Sequence, residues 1–233
     1  MNNTTIDKKQ DEPFFFFYAW FILLFVIVCF GAKALFDSED LPPITNLHHF
    51  HAVAMLSWFF LFALQPTFIR FDKIKLHRMF GQLSPIVVIA FIGFGIAISL
   101  HNWDRMGWPL IITANGVNLI IFVILYALAI IKRQQAATHK RFMLYATISL
   151  LGPAAGRIPE IFDQSPYLSV PVLMALQLAP LVHDKMVHRK IHKATWIGFV
   201  LMLLAIPIIV GLSESSAWKN ILINILGSPS AQL

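Results

Sequence analysis

The chain has 233 residues, of which 58% are hydrophobic and only 13% charged, with a mean hydropathy of +0.70. A soluble domain covers its surface with about 25% charged residues, so this composition excludes a water-soluble globular protein and makes lipid the solvent for most of the chain. The net charge of +6 then reports Lys and Arg retained at the cytoplasmic face, not a nucleic-acid partner, and a single cysteine, Cys29, excludes an intramolecular disulfide and a cysteine-based zinc site.

A helix needs roughly 20 mostly apolar residues to cross the hydrocarbon. Seven runs qualify, at 14–35, 48–70, 79–100, 109–131, 140–157, 167–183 and 194–212. The sequence therefore predicts an all-α polytopic membrane bundle of about seven transmembrane helices over residues 14–212, behind a cytoplasmic N-terminal tail at 1–13. The polar start and the lack of a small-residue cleavage site before Lys33 argue against a signal peptide. The fifth and sixth runs are short and carry Pro153, Pro171 and Pro180, which predicts tilted or broken helices. Trp218 to Leu226 is too short to span and reads as an amphipathic helix in the headgroups, within a C-terminal segment at 213–233.

The loops orient this bundle. Lys8, Lys9, Arg70, Lys73, Lys75, Arg78, Lys132, Arg133, Lys140, Arg141, Lys185, Arg189, Lys190 and Lys193 fall on one side. The other side has Lys33, Arg105, Arg157 and Lys219 beside Asp37, Glu39, Asp40, Asp104, Glu160, Asp163 and Glu214. Basic residues stay on the cytoplasmic side, so the N-terminus is expected inside and the C-terminus outside, in a bacterial inner membrane.

Polar side chains are costly within hydrocarbon, so they default to the bundle interior and to function. The inner layer holds Gln65, Arg70, His77, Arg78, His139, Arg141, His183, Asp184, His188 and His192. His188 and His192 are four apart, a spacing that suits two ligands of one metal if both lie on one helix. Asp184, four residues before His188, is placed to orient an imidazole through its second N–H. The other reading of this pair is a solvated loop rich in His and Lys. The outer layer holds His48, His49, His51, His101, Arg157, Glu160 and Asp163, with Asn115 and Asn118 deeper in the fourth run. Antiparallel second and third runs return His101 to the level of His51. Arg157 follows Gly152, Pro153 and Gly156, where an opened helix exposes carbonyls; its alternative is an interfacial ion pair with Glu160 or Asp163. Asn115 and Asn118 either touch a ligand or hold helices together.

No Walker loop, G-x-S-x-G elbow or H-E-x-x-H pair is present, and the apolar spans contain no lysine for a retinal Schiff base. Any chemistry falls to histidine, arginine, amide and acid near the two faces.

His51, Trp58 and Gln65, then L-H-R-x-x-G at Leu76 to Gly81 and T-H-K-R-F-M-L-Y-A-T at Thr138 to Thr147, form a pattern. It continues through Gly152-Pro153 and Arg157 to Lys190–Gly198 and the Ala-Trp at Trp218. Over about 46–226 it resembles an uncharacterised bacterial multi-pass inner-membrane family, similar to a domain-of-unknown-function family. The resemblance implies the bundle and this residue set, and it implies no reaction. The chain departs from the pattern in HHFH, where a single histidine, matching His51, is expected.

Several activities fit these residues. The leading one is a membrane redox protein holding b-type haem and exchanging electrons with quinone. His51, His77, His139 and His192 would supply axial ligands, and Arg78, Arg141 and Arg157 would meet propionates. A divalent-metal-dependent enzyme would gather His77, His139, His188, His192 and Asp184 at the cytoplasmic face. A small-solute transporter or channel would be lined by Gln65, Asn115, Asn118, Gln177 and Arg157. A non-catalytic partner of another membrane protein would set its basic face on anionic headgroups.

Overall fold

A computed structural model describes residues 3–36 and 44–229, without the side chains of residues 3–12, Met106 and Pro166. Asp37, Glu39 and Asp40, and the side chains of Lys8 and Lys9, lie outside the described residues. The regular structure is helical throughout: α1 (Asn3–Phe36), α2 (Asn46–Arg70), α3 (Ile74–Met106), α4 (Pro109–Ile131), α5 (Ala136–Ser149), α6 (Gly152–Ile161), α7 (Ser169–His188), α8 (Lys193–Glu214) and α9 (Ser216–Leu226), with a 3-10 turn Pro166–Leu168 before α7. Among the described residues, six helices are long and apolar enough to cross a membrane: α1 from Pro13, α2, α3, α4, α7 and α8. Their outward faces carry exposed Phe17, Ile86, Ile89, Ile120 and Leu204, a surface that only lipid would solvate.

The fifth predicted run is two helices, α5 and α6. Pro153 has no N–H and its ring crowds the carbonyl four residues back, so the chain breaks at Leu150–Leu151 and restarts at Gly152. The pair nonetheless runs alongside α1. Lys140 at the start of α5 sits over Phe15, and at the far end Arg157 sits over Phe30 while Lys33 approaches Glu160 at 3.8 Å. The stretch of α1 between Phe15 and Lys33 is about 27 Å long at about 1.5 Å per residue. The sixth predicted run gains a turn, because α7 continues to His188. The tail predicted before residue 14 is helical from Asn3.

Short turns make neighbours antiparallel. Gly107, at φ 62°, ends α3 in the left-handed conformation, its N–H bonded to the Trp103 carbonyl, and Pro109 opens α4. Glycine is favoured at such a cap and proline at the first helical position. The basic end of the bundle gathers the α2–α3, α4–α5 and α7–α8 turns. At the opposite end α9 folds back, where Trp218 donates to the Thr113 hydroxyl (2.7 Å) and Trp103 donates to the Gly227 carbonyl (3.1 Å).

Prolines within helices leave carbonyls without their usual donor, and hydroxyls fill two of them. Pro85 frees the Gly81 carbonyl, which accepts from Ser84 (2.7 Å), and Pro180 frees the Leu176 carbonyl, which accepts from Tyr18 of α1 (2.5 Å). In a bilayer such substitutes are what allow a proline-bearing helix to span. The core is aromatic and aliphatic, centred on Phe59, Phe91, Phe122, Leu125 and Tyr145. Tyr145 presses its ring onto α8 at Gly198, where any Cβ would overlap it, and its hydroxyl donates to the Gln177 carbonyl (2.8 Å).

Candidate functional site

The polar side chains fall into three groups. At the basic end, Arg141 and Asp184 are buried to 2% and 1% exposure. Arg141 donates from Nε to both carboxylate oxygens (3.1 and 3.2 Å) and from Nη2 to Oδ1 (2.5 Å), and its Nη1 donates to the Ala137 carbonyl (3.0 Å). The same carboxylate accepts from the Thr195 hydroxyl (2.5 Å) and the His192 backbone N–H (3.0 Å). Asp184 thus fastens α5, α7 and the start of α8 at one point. Such a forked, fully bonded ion pair is the form in which buried charge is tolerated.

The second group is a seam between α2 and α3. His51, Trp58 and Gln65 recur every seven residues on α2, so they share one helix face. Glycines of α3 lie across from the outer two: a Cβ at Gly95 would stand 3.8 Å from His51 Cε1, and one at Gly81 3.9 Å from Gln65 Oε1. Both pairs are fourteen residues apart in sequence, so one antiparallel register places a polar side chain against a glycine at each end. Between them, Trp58 meets Phe91, Phe122 and Tyr126 at ring distances of 5.6, 5.1 and 5.8 Å. Four nitrogens along the seam are buried without a hydrogen-bond partner: His51 Nδ1, Trp58 Nε1, Gln65 Nε2 and His77 Nδ1. Each unpaired buried polar atom costs about 1–3 kcal/mol. His77 lies by the Gln65 backbone and within electrostatic reach of His139. His139 Nδ1 meets the Ala129 carbonyl at 2.8 Å; a carbonyl only accepts, so that nitrogen carries the proton and Nε2 keeps its lone pair.

The third group lines a cavity of about 240 Å³ in the half of the bundle away from the basic end. His51 of α2, Ser99 and Gly95 of α3, and Asn115 and Asn118 of α4 meet Pro153 at the α5–α6 break. Asn115 Nδ2 donates to Ser99 Oγ (3.2 Å). Pro153 offers no N–H to the Ser149 carbonyl, and Ser149 also lines this wall. α3 packs mainly on α2, and α4 mainly on α5 and α8. The cavity accordingly opens between α3 and α4, where Ile96, Leu100 and Gly116 are exposed. An apolar chamber with a few convergent polar groups is the usual form of a small-molecule site.

These placements correct several expectations. His188 and His192 do not share a helix: α7 ends at His188, Arg189 turns left-handed at φ 56°, and His192 caps α8, its Nδ1 accepting from the Ala194 N–H (3.1 Å). Asp184 is committed to Arg141, Thr195 and the α8 backbone in place of orienting a metal-bound imidazole. Among the described residues no group of three or more His, Cys, Asp or Glu is placed to hold a metal ion, so the set His77, His139, His188, His192 and Asp184 does not assemble into a metal centre. Arg141, counted with the loop charges, is a core residue. Arg157 pairs with Glu160 at 2.6 Å, half-exposed, and Arg78 is exposed on the α3 surface. His48 explains the extra histidines in part: its Nδ1 accepts from the Thr45 N–H (3.2 Å) at the start of α2. Its ring also stands edge-on to His101 at 5.6 Å. Gln177 is buried beside α5, away from any shared lining with Asn115 and Asn118. Sequence reasoning missed the Arg141–Asp184 bond and the facing glycines. A lone acid amid a strongly basic loop signals the first, and the equal fourteen-residue spacings signal the second.

No family model, curated protein or solved structure matches the chain. Fold and surface define a polytopic α-helical membrane protein.

Proposed function

We propose that the protein is a seven-crossing protein of a bacterial inner membrane that takes a quinone-class ring from the bilayer into the cavity at His51, Asn115 and Asn118. The α5–α6 pair serves as the seventh crossing, since it matches a length of α1 close to the roughly 30 Å of hydrocarbon. The basic end faces the cytoplasm by the charge bias of its turns, and the resemblance to a bacterial multi-pass family agrees with that setting. The lateral opening of the cavity carries the ligand assignment. Its rim residues, Ile96, Leu100 and Gly116, are apolar and exposed, so the chamber communicates with lipid and suits a lipid-soluble guest. A dry cavity of about 150 Å³ already holds benzene, and this one is larger. The unpaired His51 Nδ1 on one wall and the two asparagine amides on another suit a ring bearing two oxygens. Titration of the detergent-solubilised protein with a short-chain ubiquinone should show saturable binding. His51→Leu should weaken it about tenfold, equivalent to about 1.4 kcal/mol. Binding that never saturates, or that His51→Leu leaves unchanged, sinks the assignment.

Haem-type redox chemistry has one observation in its favour. With Nδ1–H on the Ala129 carbonyl, His139 keeps a lone pair on Nε2 that would let it hold a haem iron, and His77 lies within electrostatic reach of it. Protein from haem-replete cells should then give a b-type reduced-minus-oxidised spectrum that His139→Ala abolishes; a colourless preparation ends this second assignment.

A further inference from the structure

The short helix α9 lies outside the cavity lining, yet both of its ends are fastened to the helices that flank the opening. It has eleven residues, too few to span, and it starts at Ser215, where α8 stops. Near its beginning Trp218 donates from the indole to the Thr113 hydroxyl of α4 (2.7 Å). At its end the Gly227 carbonyl accepts from the Trp103 indole of α3 (3.1 Å). Thr113, Trp103 and, midway along α9, Leu222 are all buried. Gly227 stands at φ 85° and ψ 166°, a conformation open essentially to glycine alone, so the second fastening depends on a residue without a Cβ.

The two grips fall at the outer end of the cavity. Trp103 follows the lining residues Ser99 and Leu100 by three to four positions on α3, and Thr113 sits between the lining residues Ile112 and Asn115 on α4. Each is therefore within about one helical turn, roughly 5 Å, of the chamber. α3 packs mainly on α2 and only lightly on α4. At the level of the chamber the Asn115–Ser99 hydrogen bond (3.2 Å) joins α3 to α4. Outward of it, the Gly107–Trp108 turn and the two indole bonds of α9 hold the pair together.

We infer that α9 is a strap across α3 and α4 that sets the width of the cavity's opening to lipid, with Trp103 and Trp218 as its positioning residues. A tight strap admits flat, slender guests and slows their exchange; a loosened one lets α3 move away from α4. This rests on the quinone reading for the guest, whereas the strap itself concerns the opening.

The test reads the opening and the guest separately in the full-length protein in lipid nanodiscs. In a Cys29→Ala background, spin labels on Leu100→Cys and Gly116→Cys face each other across the rim; Leu100 is exposed and a Cβ at Gly116 meets open space. Electron–electron resonance should give a narrow distance distribution. Trp103→Phe with Trp218→Phe keeps two aromatic rings and removes both N–H donors, and Thr113→Val breaks the α4 grip from its other side. Both changes should broaden the distribution toward longer distances, while Trp196→Phe, an exposed tryptophan of α8, should leave it unchanged. In unlabelled protein the same strap variants should speed association and dissociation of short-chain ubiquinone several-fold together, with little change in affinity. Distances that both strap variants leave at the wild-type value overturn the proposal, and so does a widened opening through which a bound guest exchanges at the wild-type rate. A widened opening with no ubiquinone binding in any protein, wild type included, supports the strap and rejects the quinone guest.

Discussion

Replacing Asp184 by asparagine is the sharpest perturbation the fold offers. The amide keeps the size of the side chain and one oxygen for Thr195 and the His192 N–H, but it removes the negative charge. Arg141, 2% exposed, then holds a buried guanidinium with no counter-ion. Breaking a buried pair from one side costs about 3–5 kcal/mol, whereas replacing both partners by well-packed neutral groups is often close to neutral. Asp184→Asn should therefore destabilise by about 3 kcal/mol, and so should Arg141→Met, which strands the carboxylate. The double variant should recover most of either loss, giving a coupling of about 2 kcal/mol or more. Equilibrium unfolding by dodecyl sulfate in mixed micelles, followed by helical circular dichroism, measures all three. Single-variant losses that add to within about 0.5 kcal/mol would refute the assignment of this pair as the fastening of α5, α7 and α8.

Other outcomes follow from close contacts. Gly198→Ala should lower stability by about 1–3 kcal/mol, seen as a fall in detergent melting temperature, because the new methyl overlaps the Tyr145 ring at its base. Gly95→Leu should fill the cavity beside His51 and abolish ubiquinone binding while leaving the melting temperature within a degree or two of wild type; undiminished binding would place the ligand elsewhere. In a Cys29→Ala background, a cysteine at Gln164 should react with impermeant maleimide in intact cells, and one at Arg133 only after the cells are opened. The reverse pattern would invert the topology.

Much of this architecture was legible in the chain because hydrocarbon imposes simple rules. Runs of apolar residues long enough to cross gave α1 to α4, α7 and α8, and Gly152-Pro153 marked where the fifth run breaks. The segment at Trp218, too short to span, appears as a separate short helix, α9. Side-chain destinations were harder to read. Arg141 sits in the basic stretch His139-Lys140-Arg141, and composition alone treats it as a loop charge; only the counter-ion from α7, distant in sequence, shows that it is interior. His188 and His192 have metal-ligand spacing, but spacing fixes a shared face only where the helix is continuous, and a left-handed Arg189 interrupts it. His51, Trp58 and Gln65 could be placed on one face from their seven-residue spacing. That glycines meet the outer two depends on the register of α2 against α3, which pairwise contact decides.

The Arg141–Asp184 bond also sets an order of biosynthesis. Arg141 leaves the ribosome more than forty residues before Asp184, so the nascent chain presents a cation to the insertion machinery long before its anion is made. Until α7 is made, α5 carries this guanidinium without its counter-ion, a costly charge to place in hydrocarbon; the Thr195 and His192 bonds to Asp184 can form only once α8 follows. A polypeptide halted before α7 would carry that guanidinium with no carboxylate to meet it.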